Sequence, residues 1–488
     1  MKLTNKKILS WIKNKGRFLL VLVTVLVVPL FSGCGTQSAG YHVSLEIWGT
    51  LDDSTIYNEA VSKYKDLNPY IVDIKYRKFS QDTYKQDLLD ALASGQGPDI
   101  FLMNNSWLPS FENKLEPAPI KLVSEQDVNT NFPDVVATDF VDGEKVYGVP
   151  LSVDSMQLYY NKDTFNLAGI TAPPKTWQEF SSDVQMLTRV DAVGNISRSG
   201  TAMGTSQNVS RSMDILSLLM IQNGAQLPTS RGMVTNIDQG VISQDGSIVQ
   251  AGEQALGFYT QFSKVSLLAN IPNPVYCWNS RQINSMDAFA SGNVAMFLGY
   301  SWQGSNIKNK NPKLNFAVAP VPQLNANKPA SFANYWGYAV AKNRPSATTP
   351  QKGATVAPVT DAIRTHEAWQ FLRFLTLKNS GKVTLYNAIT KNSKDFAVTF
   401  DPAIDYLKKT NQPAARRDII NLQRQDTFLG SFATGNLIAK SWYQVDPETN
   451  EKIFAEGIDS INRGDTSLHQ ALVLMKNRLD SLMQTKNK

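Results

Sequence analysis

Six of the nine tryptophans in this 488-residue chain stand where an aromatic ring could meet a ligand: Trp48, Trp107, Trp278, Trp302, Trp336 and Trp442. Most lie in polar, loop-like surroundings, as in Tyr276-Cys-Trp-Asn-Ser-Arg281, Tyr300-Ser-Trp-Gln303, Asn334-Tyr-Trp-Gly337 and Lys440-Ser-Trp-Tyr-Gln444. An indole presents a flat apolar face with an N–H at its edge. A sugar ring offers the matching C–H face and a rim of hydroxyls. Asn, Gln and Asp beside the rings can pair those hydroxyls, and a buried polar group left unpaired costs roughly 1–3 kcal/mol. The set therefore suits carbohydrate binding. The other three differ. Trp11 belongs to the N-terminal segment, while Trp177 and Trp369 sit in helical patterns and read as core.

Residues for bond-breaking chemistry form no comparable pattern. There is no Gly-x-Ser-x-Gly, phosphate loop or metal motif, and the three histidines, His42, His366 and His469, are scattered. Asp154 and Asp99 could be nominated as a glycosidase pair, but the separation of two carboxylates is not written in their spacing. Asp99, following Gly97-Pro98, reads more simply as a turn residue. No cofactor, metal or catalytic residue is implied. Cys277 reads as a buried thiol.

The elements that must position the tryptophans alternate between strand and helix. Val43–Trp48 reads as a buried strand. Ala60, Val61, Tyr64 and Leu67 recur at helical spacing up to Asn68-Pro69. Ile71, Ile74 and Tyr76 mark a second strand, Tyr84, Leu88, Leu89 and Leu92 a second helix, and Asp99–Met103 a third strand. Such an order predicts a parallel sheet covered by helices. In open α/β sheets ligands gather beyond the carboxyl ends of strands. Trp48, Trp107 and, after the predicted strand Val294–Leu298, Trp302 fall at or just past such ends. Thr176 with Glu179, and Ser467 with Gln470, have capping-box spacing. Residues 228–250 and 346–360 read as loop excursions.

Ahead of these elements, Lys2, Lys6, Lys7, Lys13, Lys15 and Arg17 precede an apolar run from Phe18 to Phe31, followed by Ser32-Gly33-Cys34. A run of about 14 residues is short for a membrane span of about 20 and reads as a secretory signal, residues 1–33. Leu30-Phe31-Ser32-Gly33-Cys34 resembles a bacterial lipobox, which implies acylation of Cys34 and a tether over 34–40. Taking the six basic residues of 1–33 from the chain's 48 leaves 42 against 42 acidic, so the net charge of +6 belongs to the leader. A nucleic-acid footprint is not supported. The remaining chain, about 455 residues, suffices for two or three domains.

Several segments together resemble the family 1 extracellular solute-binding proteins, the carbohydrate-type receptors of bacterial ABC importers. They are Leu45-Glu-Ile-Trp-Gly49, Ala93-Ser-Gly-Gln-Gly-Pro-Asp99, Tyr147-Gly-Val-Pro150, Leu158-Tyr-Tyr-Asn-Lys-Asp163, Pro174-Lys-Thr-Trp-Gln-Glu-Phe180, Phe289-Ala-Ser-Gly-Asn-Val-Ala-Met-Phe297, Ala319-Pro-Val-Pro322 and Trp336-Gly-Tyr-Ala-Val340. The likeness covers residues 43–485. It implies an α/β, type II-like periplasmic-binding-protein fold of two lobes, each a sheet flanked by helices. Lobe 1 would hold 41–151 and 337–396, and lobe 2 would hold 155–330 and 397–488. Hinge segments would lie near 151–155 and 331–336. Carried over by position, Trp48, Asn104 and Trp107 would serve the ligand from lobe 1. Asp154, Tyr335 and Trp336 would serve it from the crossings, and Asn208, Trp278, Trp302 and Trp442 from lobe 2. The resemblance also implies a monomer that hands a sugar to permease subunits at the outer face of the cytoplasmic membrane. A peptide or polyamine ligand, delivery to a sensor, or a secreted glycosidase are the alternatives these residues leave open.

Overall fold

The computed structural model describes residues 40–192, 195–242, 246–268, 271–342 and 357–485. The signal segment, Cys34, most of the tether and most of the expected excursion at 346–360 lie outside them. Two compact units are distinguished. In the smaller, residues 40–42 and 357–359 are described, and the Ala357 N–H donates to the Gly40 carbonyl at 2.9 Å. The larger, 43–345 with 360–488, contains everything that follows.

Along the chain of the larger unit come β1 (Val43–Gly49), α1 (Asn58–Leu67), β2 (Ile71–Lys78), α2 (Tyr84–Ala93) and β3 (Ile100–Asn104). The inward positions of β1, Val43, Leu45 and Ile47, are buried, as the alternation requires. Helix α1 buries Ala60 and Tyr64 and stops at Asn68, whose extended backbone suits the residue before a proline. Next come β4 (Gln157–Asn161), α3 (Trp177–Leu187), β5 (Ile196–Thr201), α4 (Ser212–Asn223), β6 (Val294–Gly299), α5 (Ser301–Lys310), β7 (Phe316–Ala319) and β8 (Trp336–Val340). Towards the end come α6 (Asp361–Thr376), α7 (Pro402–Thr410), α8 (Leu429–Asn436), α9 (Pro447–Arg463) and α10 (Leu468–Thr485).

Two main sheets result, one per lobe. The first has the order β8-β3-β1-β2, with β1 parallel to both β2 and β3. Its fourth strand, β8, arrives on the return of the chain and runs antiparallel to β3, with Trp336 opposite Asn104. The second sheet runs β7-β4-β6-β5 and ends in the short strand Arg189–Val190. There β6 is parallel to β5 and antiparallel to β4. Helix α4 is buried on every side through Leu216, Leu218, Leu219 and Met220, which makes it the centre of the second core. Trp177 and Trp369 are core residues, as expected.

The cap at Ser467 forms in both directions, between the Ser467 N–H and Gln470 Oε1 (3.0 Å) and between the Gln470 N–H and Ser467 Oγ (3.2 Å). At α3 the Glu179 N–H donates to Thr176 Oγ1 (3.1 Å), but the Glu179 carboxylate reaches one residue further back, to the Lys175 N–H (2.6 Å). In the described part of 228–250, the short strands Val241–Ile242 and Ile248–Val249 pair antiparallel.

Among the described residues, three segments that connect the sheets lie side by side. Ser155 bridges Ala333, and the Asn334 N–H donates to the Asp154 carbonyl at 3.0 Å. Ser152 bridges Ala414 and its hydroxyl donates to the Pro413 carbonyl at 2.6 Å. Helix α7 buries Ala403, Tyr406 and Leu407, and Tyr406 Oη donates to Asp52 Oδ2, just past β1, at 2.9 Å.

Candidate functional site

A cavity of about 300 Å³ opens where the crossings meet the ends of both sheets. Trp336 and Tyr338 of β8 and Tyr406 of α7 line it from the first lobe, Asp154, Asn334 and Tyr335 from the crossings, and Ser301 and Trp302 from the second lobe. Trp302 is the second residue of α5, directly after β6, and is 48% exposed. Trp336 opens β8 and packs edge to face on Trp107, with ring centroids 5.1 Å apart. Trp107 in turn stacks on Phe111 at 5.3 Å, with the Lys85 ammonium 5.6 Å from its ring centre. Two aromatic faces from different lobes thus border one space, with carboxamides beside them.

Asp154 has a structural partner. Its carboxylate accepts from the Ser301 N–H (2.9 Å) and the Ser301 hydroxyl (2.7 Å), satisfying an N–H at the open start of α5. Burial pushes its pKa up to about 7, against the opposing pull of those Ser301 bonds. Tyr335 lines the cavity, yet its hydroxyl is engaged behind it, donating to Asp139 Oδ2 at 2.8 Å. Asp139 also accepts from Ser441 (2.5 Å) and Asn105 (3.0 Å), and burial raises its pKa to about 7. Asn104 caps the turn after β3 through the Ser106 N–H (3.1 Å) and donates to Asn334 Oδ1 (3.2 Å). Asn334 continues the chain to Asp214 Oδ2 (3.3 Å), which accepts from Tyr300 Oη at 2.8 Å. One hydrogen-bonded line therefore runs from β3 through a crossing to α4 of the second lobe.

Asn104, Trp107, Asp154, Trp302, Tyr335 and Trp336 are thus brought to this cavity or to the smaller one adjoining it. Four expected site residues are placed elsewhere. Trp48 is 6% exposed, its indole N–H held by Glu46 Oε1 (2.9 Å) and its ring packed on Phe79 at 4.4 Å. Trp278 is fully buried and donates to Thr205 Oγ1 and Asn208 Oδ1, both at 3.1 Å. Asn208 donates to the carbonyls of Asn279 (3.0 Å) and Gln282 (2.9 Å), so its carboxamide ties a loop together. Trp442 is 4% exposed, stacks on Phe454 at 5.9 Å and donates to Ser217 Oγ (3.2 Å). For the three tryptophans an internal acceptor satisfies the indole N–H, which lets the ring face inward.

Arg211, Tyr406 and Asn334 line the cavity without having been singled out in the sequence. Arg211 directly precedes α4, whose stretch Ile215–Ile221 is apolar but for Ser217, and a cation there is the signal that could have flagged it. Cys277 is buried, and burial pushes its thiol up to about 12, so a thiolate role has no support. Among the described residues no group of three or more His, Cys, Asp or Glu could hold a metal ion. No described helix is long and apolar enough to cross a membrane.

The model of a family described as bacterial extracellular solute-binding protein matches residues 48–381. The maltodextrin-binding protein MdxE of Bacillus subtilis (strain 168) is 26% identical over 208 residues, covering 41% of this chain and 43% of the relative. The diacetylchitobiose binding protein DasA of Streptomyces coelicolor is 22% identical over 260 residues, covering 52% and 55%. The chain thus spans about half the length of these curated relatives. Among solved structures, the sugar-binding protein MalE from Xanthomonas citri superposes with a TM-score of 0.66 at 19% identity, covering 91% of this chain and 98% of that one. Likeness at that identity establishes a shared two-lobe fold.

Proposed function

The chain belongs to the bacterial extracellular solute-binding protein family, and from that premise we propose that it captures a sugar or oligosaccharide between its lobes and delivers it to an ABC import permease. The family consists of binding proteins, extracellular or periplasmic, that serve ABC importers. The observation that carries the carbohydrate reading is the cavity between the lobes, where Trp302 and Trp336 face one space with Asn334 and Gln412 on its wall. Pockets at domain interfaces are the common place for small ligands. Closure over a ring held between two aromatic faces makes the closed form dominant by differential affinity.

Lipid attachment at Cys34 completes the reading. More than one acyl chain gives stable anchoring, at roughly 0.8 kcal/mol per buried CH₂, and would hold the receptor beside its permease. Cell fractionation tests it: Cys34→Ser releases the protein from membranes, and persistent sedimentation with them overturns the anchor. Calorimetry with a panel of mono- and oligosaccharides tests the ligand class. A saturable 1:1 signal is expected. Binding of a peptide or polyamine with no sugar bound overturns the carbohydrate reading.

A further inference from the structure

Behind the first-lobe wall of the cavity, three tyrosines converge on one carboxylate. Asp52 follows β1, Tyr57 ends the short helix Ser54–Tyr57, Tyr338 belongs to β8 and Tyr406 to α7. Tyr57 Oη donates to Asp52 Oδ2 at 2.6 Å, and Tyr406 Oη donates to the same oxygen at 2.9 Å. The hydroxyls of Tyr57 and Tyr338 share a further hydrogen bond of 2.5 Å. A phenol has a single proton. Tyr57 commits its own to Asp52, so Tyr338 is the donor in that bond. Burial raises the pKa of all three tyrosines well above the ordinary value, so each keeps its proton. Burial raises Asp52 as well, while the bonds from Tyr57 and Tyr406 pull it back down. All four side chains are buried, and the relay ties together segments as far as 354 positions apart in sequence.

Tyr338 and Tyr406 line the cavity, whereas Asp52 and Tyr57 do not. The two hydroxyls are therefore engaged behind the wall, and the rings form it, beside Leu51, Leu102 and Leu151. Ser152, Ser301 and Tyr335, the other hydroxyl residues on the described lining, also donate to internal acceptors: the Pro413 carbonyl, Asp154 and Asp139. This side of the cavity thus offers rings and aliphatic groups with no hydroxyl donor, which suits the C–H face of a sugar ring. Tyr57 also meets Tyr338 edge to face at 6.4 Å and lies 6.0 Å from the Tyr406 ring, so a shift of Tyr57 is felt by both. Ordering side chains on association counts against affinity, and rings fixed before the ligand arrives avoid that cost.

We propose that Asp52 is a positioning residue for the ligand: it anchors the hydroxyl of Tyr406 directly and that of Tyr338 through Tyr57, holding both rings as a donor-free wall for the C–H face of a sugar. The proposal rests on the carbohydrate reading above and adds to it a group that acts from behind the wall. Its test is a double-mutant cycle read by calorimetry with the tightest sugar of the panel. Asp52→Ala is expected to weaken binding at least about fivefold, since two ordered side chains are released. Tyr406→Phe keeps the ring but loses its anchor, and is expected to weaken binding by a smaller factor. The double variant should bind no more weakly than Asp52→Ala alone, because the bond that Tyr406→Phe removes is already gone. A purely structural role for Asp52 would not produce that non-additivity. Asp52→Asn, which keeps an acceptor oxygen, is expected to retain most of the affinity. Thermal melts check that each variant is folded; if Asp52→Ala is not, the cycle of Tyr57→Phe with Tyr338→Phe replaces it, with the same expectation. Wild-type affinity in the first variant of the cycle, or losses that add in the double variant, overturn the role of Asp52 and leave the carbohydrate reading intact. Failure of the wild type to bind any sugar overturns both.

Discussion

The carboxylate of Asp154 accepts both the backbone N–H and the hydroxyl of Ser301, at 2.9 and 2.7 Å. Asp154 belongs to the first crossing and Ser301 begins the helix that carries Trp302. The contact therefore couples the position of a cavity tryptophan to the segment joining the lobes. Removing a helix cap costs about 0.5–2 kcal/mol. Asp154→Ala is expected to lower stability by about 1–2 kcal/mol in urea unfolding and to weaken ligand binding. Asp154→Asn, which keeps one acceptor oxygen, is expected to lose less on both counts. Equal behaviour of the two variants would show that the hydrogen bonds to Ser301 do not matter.

Burial holds Asp139 and Asp154 protonated up to about pH 7 in the folded state, whereas an aspartate in the unfolded chain titrates near about 3.9. Between those values the native state binds more protons, so their contribution to stability is full below about pH 4 and is lost as pH rises towards 7. Asp139→Asn is expected to flatten the decline in melting temperature across that window, measured by thermal melts in matched ionic strength. An unaltered slope would remove Asp139 from the account.

Trp278 and Trp302 should separate stability from binding. Trp278 is fully buried, and truncating a buried tryptophan to alanine costs about 3–5 kcal/mol. Trp302 is 48% exposed, and exposed substitutions usually stay within about 0.5 kcal/mol. Urea unfolding of Trp278→Ala and Trp302→Ala is expected to reproduce that difference. A large loss of stability in Trp302→Ala would mean that its ring is packing rather than presenting a face.

Lys85 of α2 and Glu448 of α9 form an ion pair at 2.8 Å between elements of the two lobes. Both groups are partly exposed, and such pairs are worth about 0–1 kcal/mol. Lys85→Glu is therefore expected to weaken ligand binding by about fivefold or less at low salt. The double swap Lys85→Glu with Glu448→Lys should restore most of it. A swap that fails to restore binding would assign the loss to something other than the pair.

The first sheet was legible because its strands alternate and its helices end at Asn68-Pro69 and at the Gly-rich turn before Asp99. Its antiparallel fourth strand was not legible, because β8 pairs with β3 only after more than 200 intervening residues. Trp302 and Trp336 stand in polar segments and Trp107 just past the end of a strand, and all three line the cavities. The same pattern misplaced Trp278 and Trp442, whose indole partners Thr205 and Ser217 lie 73 and 225 positions away in sequence. A loop folded inward with its polar groups paired looks, in sequence, like one turned outward. Arg211 escaped notice because its place at the cavity depends on a left-handed backbone (φ 62°), which spacing does not record.

The central claim is that a sugar binds against the rings of Trp302 and Trp336. The direct measurement is calorimetric titration of the wild type, Trp302→Ala and Trp336→Ala with the tightest sugar of the panel. A buried aromatic anchor is commonly worth more than about 1 kcal/mol. Each variant is therefore expected to bind at least about tenfold more weakly with its fold intact. Affinities equal to the wild type in both variants would contradict the placement of the ligand between the lobes.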